Sequence, residues 1–335
     1  MIKKISKAAA SAWGQRILLL VIICIVMAIF QPIFFRLANI RSILFAISVT
    51  GVMSCGMLYT VLVGGLDLSV GSMAGISASV AYLVAQNFGF TNAAFLLGCV
   101  VALVLCLILG WINGFFVTVL SLPAFVVTLA MKYALYGAIF VILGGRYIYS
   151  PTSGVVNTLG TSSFLSIPIP VILFVIILLI CAFVLGKTTY GHRLYVIGGN
   201  KSAARLGGIH SARNTRSAFM ISSLLAGIAG IILAAMNSQA EPRTGLGYEA
   251  NVLLAMIVGG INLAGGEGGV PGAIFGALFV GIINNAMLLL SVGSDIQSLV
   301  QGVVIILAML LSSYAKQGFG GGLKPTFNKP EKNNN

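Results

Sequence analysis

Runs of about twenty apolar residues recur along this whole chain, and they confine the fold more than any other feature. A backbone at bilayer depth finds no water, so it must bond to itself as a helix or a closed barrel. The stretch "VILFVIILLICAFVLG" (171–186) shows none of the polar–apolar alternation of a barrel strand. Hydrophobic residues make up 59% of the 335 and charged residues 7%, against about 25% charged in soluble domains. An all-α fold is expected, a polytopic membrane helix bundle.

The apolar runs predict ten transmembrane segments: 17–35, 43–63, 70–86, 93–119, 123–143, 169–186, 217–236, 251–263, 270–290 and 296–314. Of these, 251–263 is too short for a full crossing. Basic clusters orient them. Lys3, Lys4, Lys7 and Arg16 place the N-terminus inside. Lys187, Arg193, Lys201, Arg205, Arg213 and Arg216 return segment 187–216 to the inside after six spans. Lys316, Lys324, Lys329 and Lys332 put the C-terminus there too. Arg36, Arg41, Arg146 and Arg243 fall on short outer segments. The first run has a basic head but no small-residue cleavage site after it, so it is read as a retained helix. The expected domain is 1–320, with an inner loop at 187–216 and a disordered cytoplasmic tail at 321–335.

The net charge of +13 is then a topology signal plus attraction to anionic membrane lipids. No basic stripe with interleaved aromatics lies outside the membrane, so no nucleic acid partner is expected. The five cysteines, Cys24, Cys55, Cys99, Cys106 and Cys181, all sit in apolar runs as packing residues. Cys99 and Cys106 share one helix two turns apart, too far for a disulfide.

Two glycine-bearing joins interrupt the apolar pattern. "VLVGGLDLSVGS" (61–72) has an echo in "MIVGGINLAGGEGG" (256–269), pairing Gly64, Gly65 and Asp67 with Gly259, Gly260 and Asn262. Repeated halves are common among transporters. Glycine pairs let a helix end at depth, where the freed backbone must be buried in protein or line a cavity. Two readings of Asp67 and Ser69 stand open: a turn former or cap for the following helix, or a direct part in a translocation pathway. Asn113, Lys132, Asn284 and Asn285 also interrupt apolar runs. Interhelical hydrogen bonding is one role for the asparagines and contact with a solute the other. Lys132 must snorkel or point into the bundle.

Chemistry is sparse. His192 and His210, the chain's two histidines, both fall in the inner loop without an HExxH frame. No Ser/His/Asp set, carboxylate pair or metal cluster presents itself, so neither a catalytic nor a metal site is expected. No GxxxxGK[ST] phosphate loop exists in the chain, so ATP would have to be hydrolysed elsewhere. Asp67, Glu241, Glu249, Glu267 and Asp295 map to ends or joins of spans, which argues against a self-contained ion-coupled pump. In the inner loop, Asn200 caps a predicted short helix, "KSAARL", that stops at Gly207-Gly208. Such an exposed helix suits a cleft on a cytoplasmic protein, or lies on lipid head groups as a plain connector.

Five segments together carry a resemblance: "GGLDLSVGS" (64–72), "LPAFVVTLAM" (122–131), "KTTYGHRLYVIGGNKSAARLGGI" (187–209), "GLGYEANVLLAMIVGGINLAGGEGGVPGAIFGAL" (245–278) and "LVQGVVIILAML" (299–310). Over about 15–320 the chain resembles the ribose-type permease subunits of bacterial ATP-binding-cassette importers, which include ribose, galactoside and autoinducer-2 systems. The resemblance implies a bacterial inner-membrane location and two permease subunits, as homo- or heterodimer. It also implies two cytoplasmic ATPase domains that bind ATP and Mg, and an extracytoplasmic sugar-binding protein. It places coupling to the ATPase at Gly191, Asn200, Ala203, Ala204, Arg205, Gly207, Gly208 and Ile209. It places the family signature near the translocation pathway at Gly64, Gly65, Asp67 and Ser69, with Asn113, Gly259, Gly260, Asn262 and Asn284 as further pathway candidates. The chain departs from its relatives at Tyr248-Glu249-Ala250-Asn251, where Tyr-Glu-Leu-(Asp or Glu) is common, and at Asn262, where Ser or Thr is common. Importers of autoinducer-2 or a nucleoside, an ion-coupled secondary carrier, a passive channel and a membrane scaffold are the alternatives.

Overall fold

The computed structural model describes residues 12–151 and 153–317. Lys3, Lys4, Lys7, Lys324, Lys329, Lys332 and the tail 321–335 lie outside the described residues. An N-terminal helix α1 (Ala12–Phe30) leads through a 3-10 turn (Pro32–Phe35) to α2 (Leu37–Leu62). Then come α3 (Val70–Asn87), α4 (Asn92–Thr118) and α5 (Ala124–Leu143). The outer segment holds β1 (Ile148–Tyr149), α6 (Gly154–Thr161), β2 (Ser163–Phe164) and β3 (Ile167–Pro168). After α7 (Ile169–Lys187), the inner segment folds as α8 (Thr189–Gly199) and α9 (Lys201–Leu206). The chain continues through α10 (Ser211–Asn237), β4 (Gln239–Ala240), α11 (Tyr248–Val258), α12 (Val270–Leu289) and α13 (Ser294–Gln317).

The bundle is all-α apart from these two-residue strands, which pair β1 with β4 and β2 with β3. Among the described residues six helices, α2, α4, α5, α7, α10 and α12, are long and apolar enough to cross a membrane alone. Shorter apolar helices lie within α1, α11 and α13, and all ten expected segments are helical over most of their length.

Why α3 falls outside the six is visible in its packing. From Val70 to Ser79 it is buried all round, so small and hydroxyl side chains replace lipid-facing leucines. The same holds for α2 from Ile47 to Leu62. These two helices form the centre with α10, which packs on α2, α3 and α4. Helix α4 shows the division in one element. Gly98, Ala102, Cys106 and Gly110 recur every four residues on its buried face, and Leu96, Val100, Val104 and Ile108 recur on its exposed face. A Cβ on Gly110 would stand 2.7 Å from the Phe219 carbonyl of α10, a backbone approach of the kind small residues permit in membranes.

The short segment expected at 251–263 is displaced. Helix α11 begins three residues earlier, because Glu249 in its first turn is neutralised by Lys132 at 2.7 Å, and ends at Val258, before the left-handed Gly260. An apolar-run reading stops at a carboxylate, whereas an ion pair lets the helix run through it. Lys132 thus points into the bundle. The cysteines are free thiols, with Cys55, Cys106 and Cys181 buried.

Candidate functional site at a glycine junction

At the first break, Gly64 adopts φ +74°, and Gly65 N–H donates back to the Thr60 carbonyl at 2.8 Å. A left-handed residue with this backward bond is the Schellman way of ending a helix. Asp67 follows with no exposed surface. Its Oδ1 accepts from Ser69 N at 3.0 Å and Ser69 Oγ at 2.6 Å, and its Oδ2 accepts from Ser222 Oγ of α10 at 2.8 Å. Asn113 Nδ2 of α4 donates to Ser69 Oγ at 3.1 Å. Thr128 Oγ1 of α5 donates to the Leu66 carbonyl at 3.0 Å and accepts from Leu68 N at 3.1 Å. Asp67, Ser69 and Asn113 therefore form one buried network, the geometry of the turn-forming reading. Ser222 joins it and Thr128 holds the loop backbone at Leu66 and Leu68; neither stood out in the sequence, because lone hydroxyls in apolar runs are common.

The second break has the same devices in a shifted register. Here Gly260, the second glycine of its pair, carries the positive φ of +72°, and Ile261 N–H reaches back to the Met256 carbonyl. Asn262 Oδ1 accepts from Ala264 N at 3.2 Å, the same side-chain turn that Asp67 makes with Ser69. Asn262 Nδ2 donates to Glu267 Oε2 at 3.4 Å. The end of α11 borrows a cation as well: Arg16 Nη1 donates to the Gly259 carbonyl at 3.1 Å. Arg16, read from sequence only as a topology charge, thus satisfies a helix end.

The two breaks touch. Gly266 N–H donates to the Leu62 carbonyl at 3.0 Å, closing the second loop onto the end of α2. A Cβ on Gly64 would stand 3.1 Å from the Ala264 carbonyl. Gly198 of α8 fills the remaining gap; a Cβ there would collide with the Leu62 carbonyl and Gly266 N. Tyr195 Oη donates to the Gly268 carbonyl at 3.0 Å, and Tyr190 Oη bonds Ser217 Oγ of α10 at 2.9 Å. The inner segment is therefore joined to both broken ends through backbone contact. Sequence reasoning missed Gly198, whose importance lies in what it faces.

The remaining expected residues divide by exposure. Asn200 caps α9, its Oδ1 accepting from Ala203 N at 2.9 Å. Asn200, Ala203, Arg205, Gly207 and Gly208 are exposed and Ile209 is half-buried. Leu206 at the tip of α9 is 91% exposed. Ala204 and Gly191 are buried instead; a Cβ on Gly191 would stand 2.5 Å from the Val184 and Leu185 carbonyls. Beside this loop opens a cavity of about 980 Å³, lined by Lys187, His192, Arg193, His210 and Arg213 among others. Asn284, half-buried on α12, lies apart from the junction.

Residues 39–309 match the family described as "Branched-chain amino acid transport system / permease component". The chain belongs to this permease family. It is 34% identical over 298 residues to the ribose import permease protein RbsC of Haemophilus influenzae, covering 88% of this chain and 91% of that one. It is 36% identical over 300 residues to the Escherichia coli RbsC, covering 89% and 92%. It is 33% identical over 310 residues to the E. coli L-arabinose transport system permease protein AraH, covering 91% and 92%. No solved structure shows a significant match. As a member of a permease family, with six helices among the described residues long and apolar enough to cross a membrane, this chain is a multi-pass inner-membrane transport subunit.

Proposed function

We propose that this permease is the membrane-spanning subunit of an ATP-binding-cassette importer for a monosaccharide. One observation carries the reading: relatives named for ribose and arabinose import align with about nine-tenths of this chain and of themselves. In this reading all ten helical segments contribute to crossing the bilayer, with both termini cytosolic. A second permease subunit, a cytoplasmic ATPase holding ATP and Mg, and an extracytoplasmic sugar-binding protein complete the importer.

The mechanism is alternating access. The exposed α9, with Leu206 at its tip, seats in the ATPase, and Asn200, Ala203, Arg205, Gly207, Gly208 and Ile209 frame the contact. Movement of α8 is then passed through Gly198 to the Leu62 carbonyl and the 262–268 loop. Both glycine breaks move with it, since neither can slide past backbone packed this closely. Gly64, Gly65, Gly259, Gly260 and Asn262 form the hinge, while the Asp67, Ser69 and Asn113 network holds the end of α2 to α3, α4 and α10.

The test is uptake into liposomes holding this chain, with and without the ATPase and binding protein, offering D-ribose, L-arabinose, D-xylose and, because of the family description, L-leucine. The expected result is uptake of a sugar that requires ATP and the ATPase and persists when ion gradients are collapsed. Uphill uptake by this chain alone, or uptake abolished by an ionophore with ATP present, would overturn the proposal. Uptake of leucine and none of the sugars would keep the importer and replace its cargo.

A further inference from the structure

Two adjacent asparagines of α12 face different partners, and the contrast locates a site. Asn285 and Asn39 of α2 exchange hydrogen bonds reciprocally at 2.9 and 2.8 Å, and both are buried. Asn39 Nδ2 also donates to the Phe34 carbonyl at 2.9 Å. An amide has two N–H donors and one oxygen with two lone pairs; Asn39 uses both N–H groups and one lone pair, Asn285 one N–H and one lone pair, and this buried pair holds α2 to α12. Asn284 is different. Its Nδ2 donates to Asn251 Oδ1 of α11 at 3.2 Å, and its Oδ1 accepts from Gln301 Nε2 of α13 at 3.2 Å. These three amides form a ladder across three successive helices, all half-buried. Among the described residues, the Asn251 N–H groups and the Gln301 carbonyl oxygen have no protein partner.

Amide groups left open on apolar helices are costly against lipid, where nothing can bond to them. They are well suited to water and to hydroxyls, which donate and accept alike. No lysine, arginine or carboxylate hydrogen-bonds or ion-pairs with the ladder among the described residues, so the chemistry it matches is neutral. We infer that Asn251, Asn284 and Gln301 line the translocation path and hydrogen-bond the hydroxyls of a neutral polyol as it passes. The inference rests on the proposed import function for its solute, and goes beyond it in naming where the solute is handled. It also replaces the glycine junction as the place of solute contact: the junction moves the helices and the ladder meets the cargo.

Cysteine accessibility in inner-membrane vesicles tests the path independently of the cargo. Asn251→Cys, Asn284→Cys and Gln301→Cys are labelled with a charged methanethiosulfonate from either side, beside Asn285→Cys and the exposed Leu307→Cys. The unsubstituted protein gives the background from the five native cysteines. Labelling at 251, 284 and 301 at least tenfold faster than at 285 and 307 is expected. Equal labelling of all five, no labelling of the ladder, or a disulfide between two copies at 301 without labelling would overturn the path. Uptake tests the solute contact. Asn284→Leu and Gln301→Leu should each lower uptake of whichever of D-ribose, L-arabinose and D-xylose the wild type carries by about fivefold to tenfold, the worth of a neutral hydrogen bond. Gln301→Asn should retain part of the rate. Unchanged uptake in both leucine variants would overturn the contact, whereas a wild type that carries none of the three sugars would count against the proposed sugar cargo and leave the labelling result standing.

Discussion

The two glycine breaks solve one problem in opposite ways. Each ends a helix with a left-handed glycine and follows it with a side-chain turn. The first is anchored from within: Asp67 gathers donors of its own loop and of α10, all in a site with no exposed surface. The second is anchored from outside. Its loop amide, Asn262, reaches within the loop, while α11 is held by Lys132 against Glu249 at one end and by Arg16 against the Gly259 carbonyl at the other. Both charges complement the helix dipole, with the carboxylate in the first turn and the cation at the last carbonyl. The difference teaches how each break moves. A network buried among four helices moves as part of the core, whereas a half-length helix held by two long cationic side chains can shift as those side chains follow.

That comparison can be broken or sharpened by substitution, read as thermal unfolding of the detergent-solubilised protein. The largest effect is expected for Glu249→Ala, which strands the Lys132 ammonium inside the bundle. Breaking a buried pair costs about 3–5 kcal/mol, and because the Lys132 side chain is 20% exposed the lower end applies. Adding Lys132→Met should recover most of the loss; absence of recovery would show that the second break is not held by this pair. Next comes Gly198→Ala, which pushes both breaks apart at once and should cost about 2–3 kcal/mol as overpacking. Uptake should fall more steeply than stability in this variant, and a proportional fall would sever α8 from the mechanism. Asp67→Ala leaves Ser69 and Ser222 hydroxyls buried without an acceptor, for about 2 kcal/mol. An effect equal to that of Asn262→Ala would erase the distinction between the copies. Arg16→Met removes one charged hydrogen bond to a helix end, worth about 1 kcal/mol. Smallest is Asn262→Ala, at about 0.5 kcal/mol for an exposed loop contact.

Several of these features were readable beforehand. Helical class, the break at Gly64-Gly65, the Asn200 cap and the need for Lys132 either to snorkel or to point inward each follow from local pattern or the cost of a charge in lipid. The partner of Lys132 was not readable, because Glu249 lies over a hundred residues away and looks like the polar edge of an apolar run. The one-residue shift between the two breaks was also hidden. Paired glycines can each take a positive φ, and which one does so depends on what packs around the helix end.

What the sequence determined by itself was the solvent this chain lives in and that its helices break near the two glycine pairs, since both depend on hydrophobicity and on glycine, matters of single residues and their neighbours. The tertiary structure decided which polar groups are spent holding the bundle and which stay open. Asn284 and Asn285 differ in nothing local. Only the arrival of Asn39 on one side and of Asn251 and Gln301 on the other gives them different work, because a hydrogen bond needs its partner in place and nothing in the sequence near these residues says which helix supplies it.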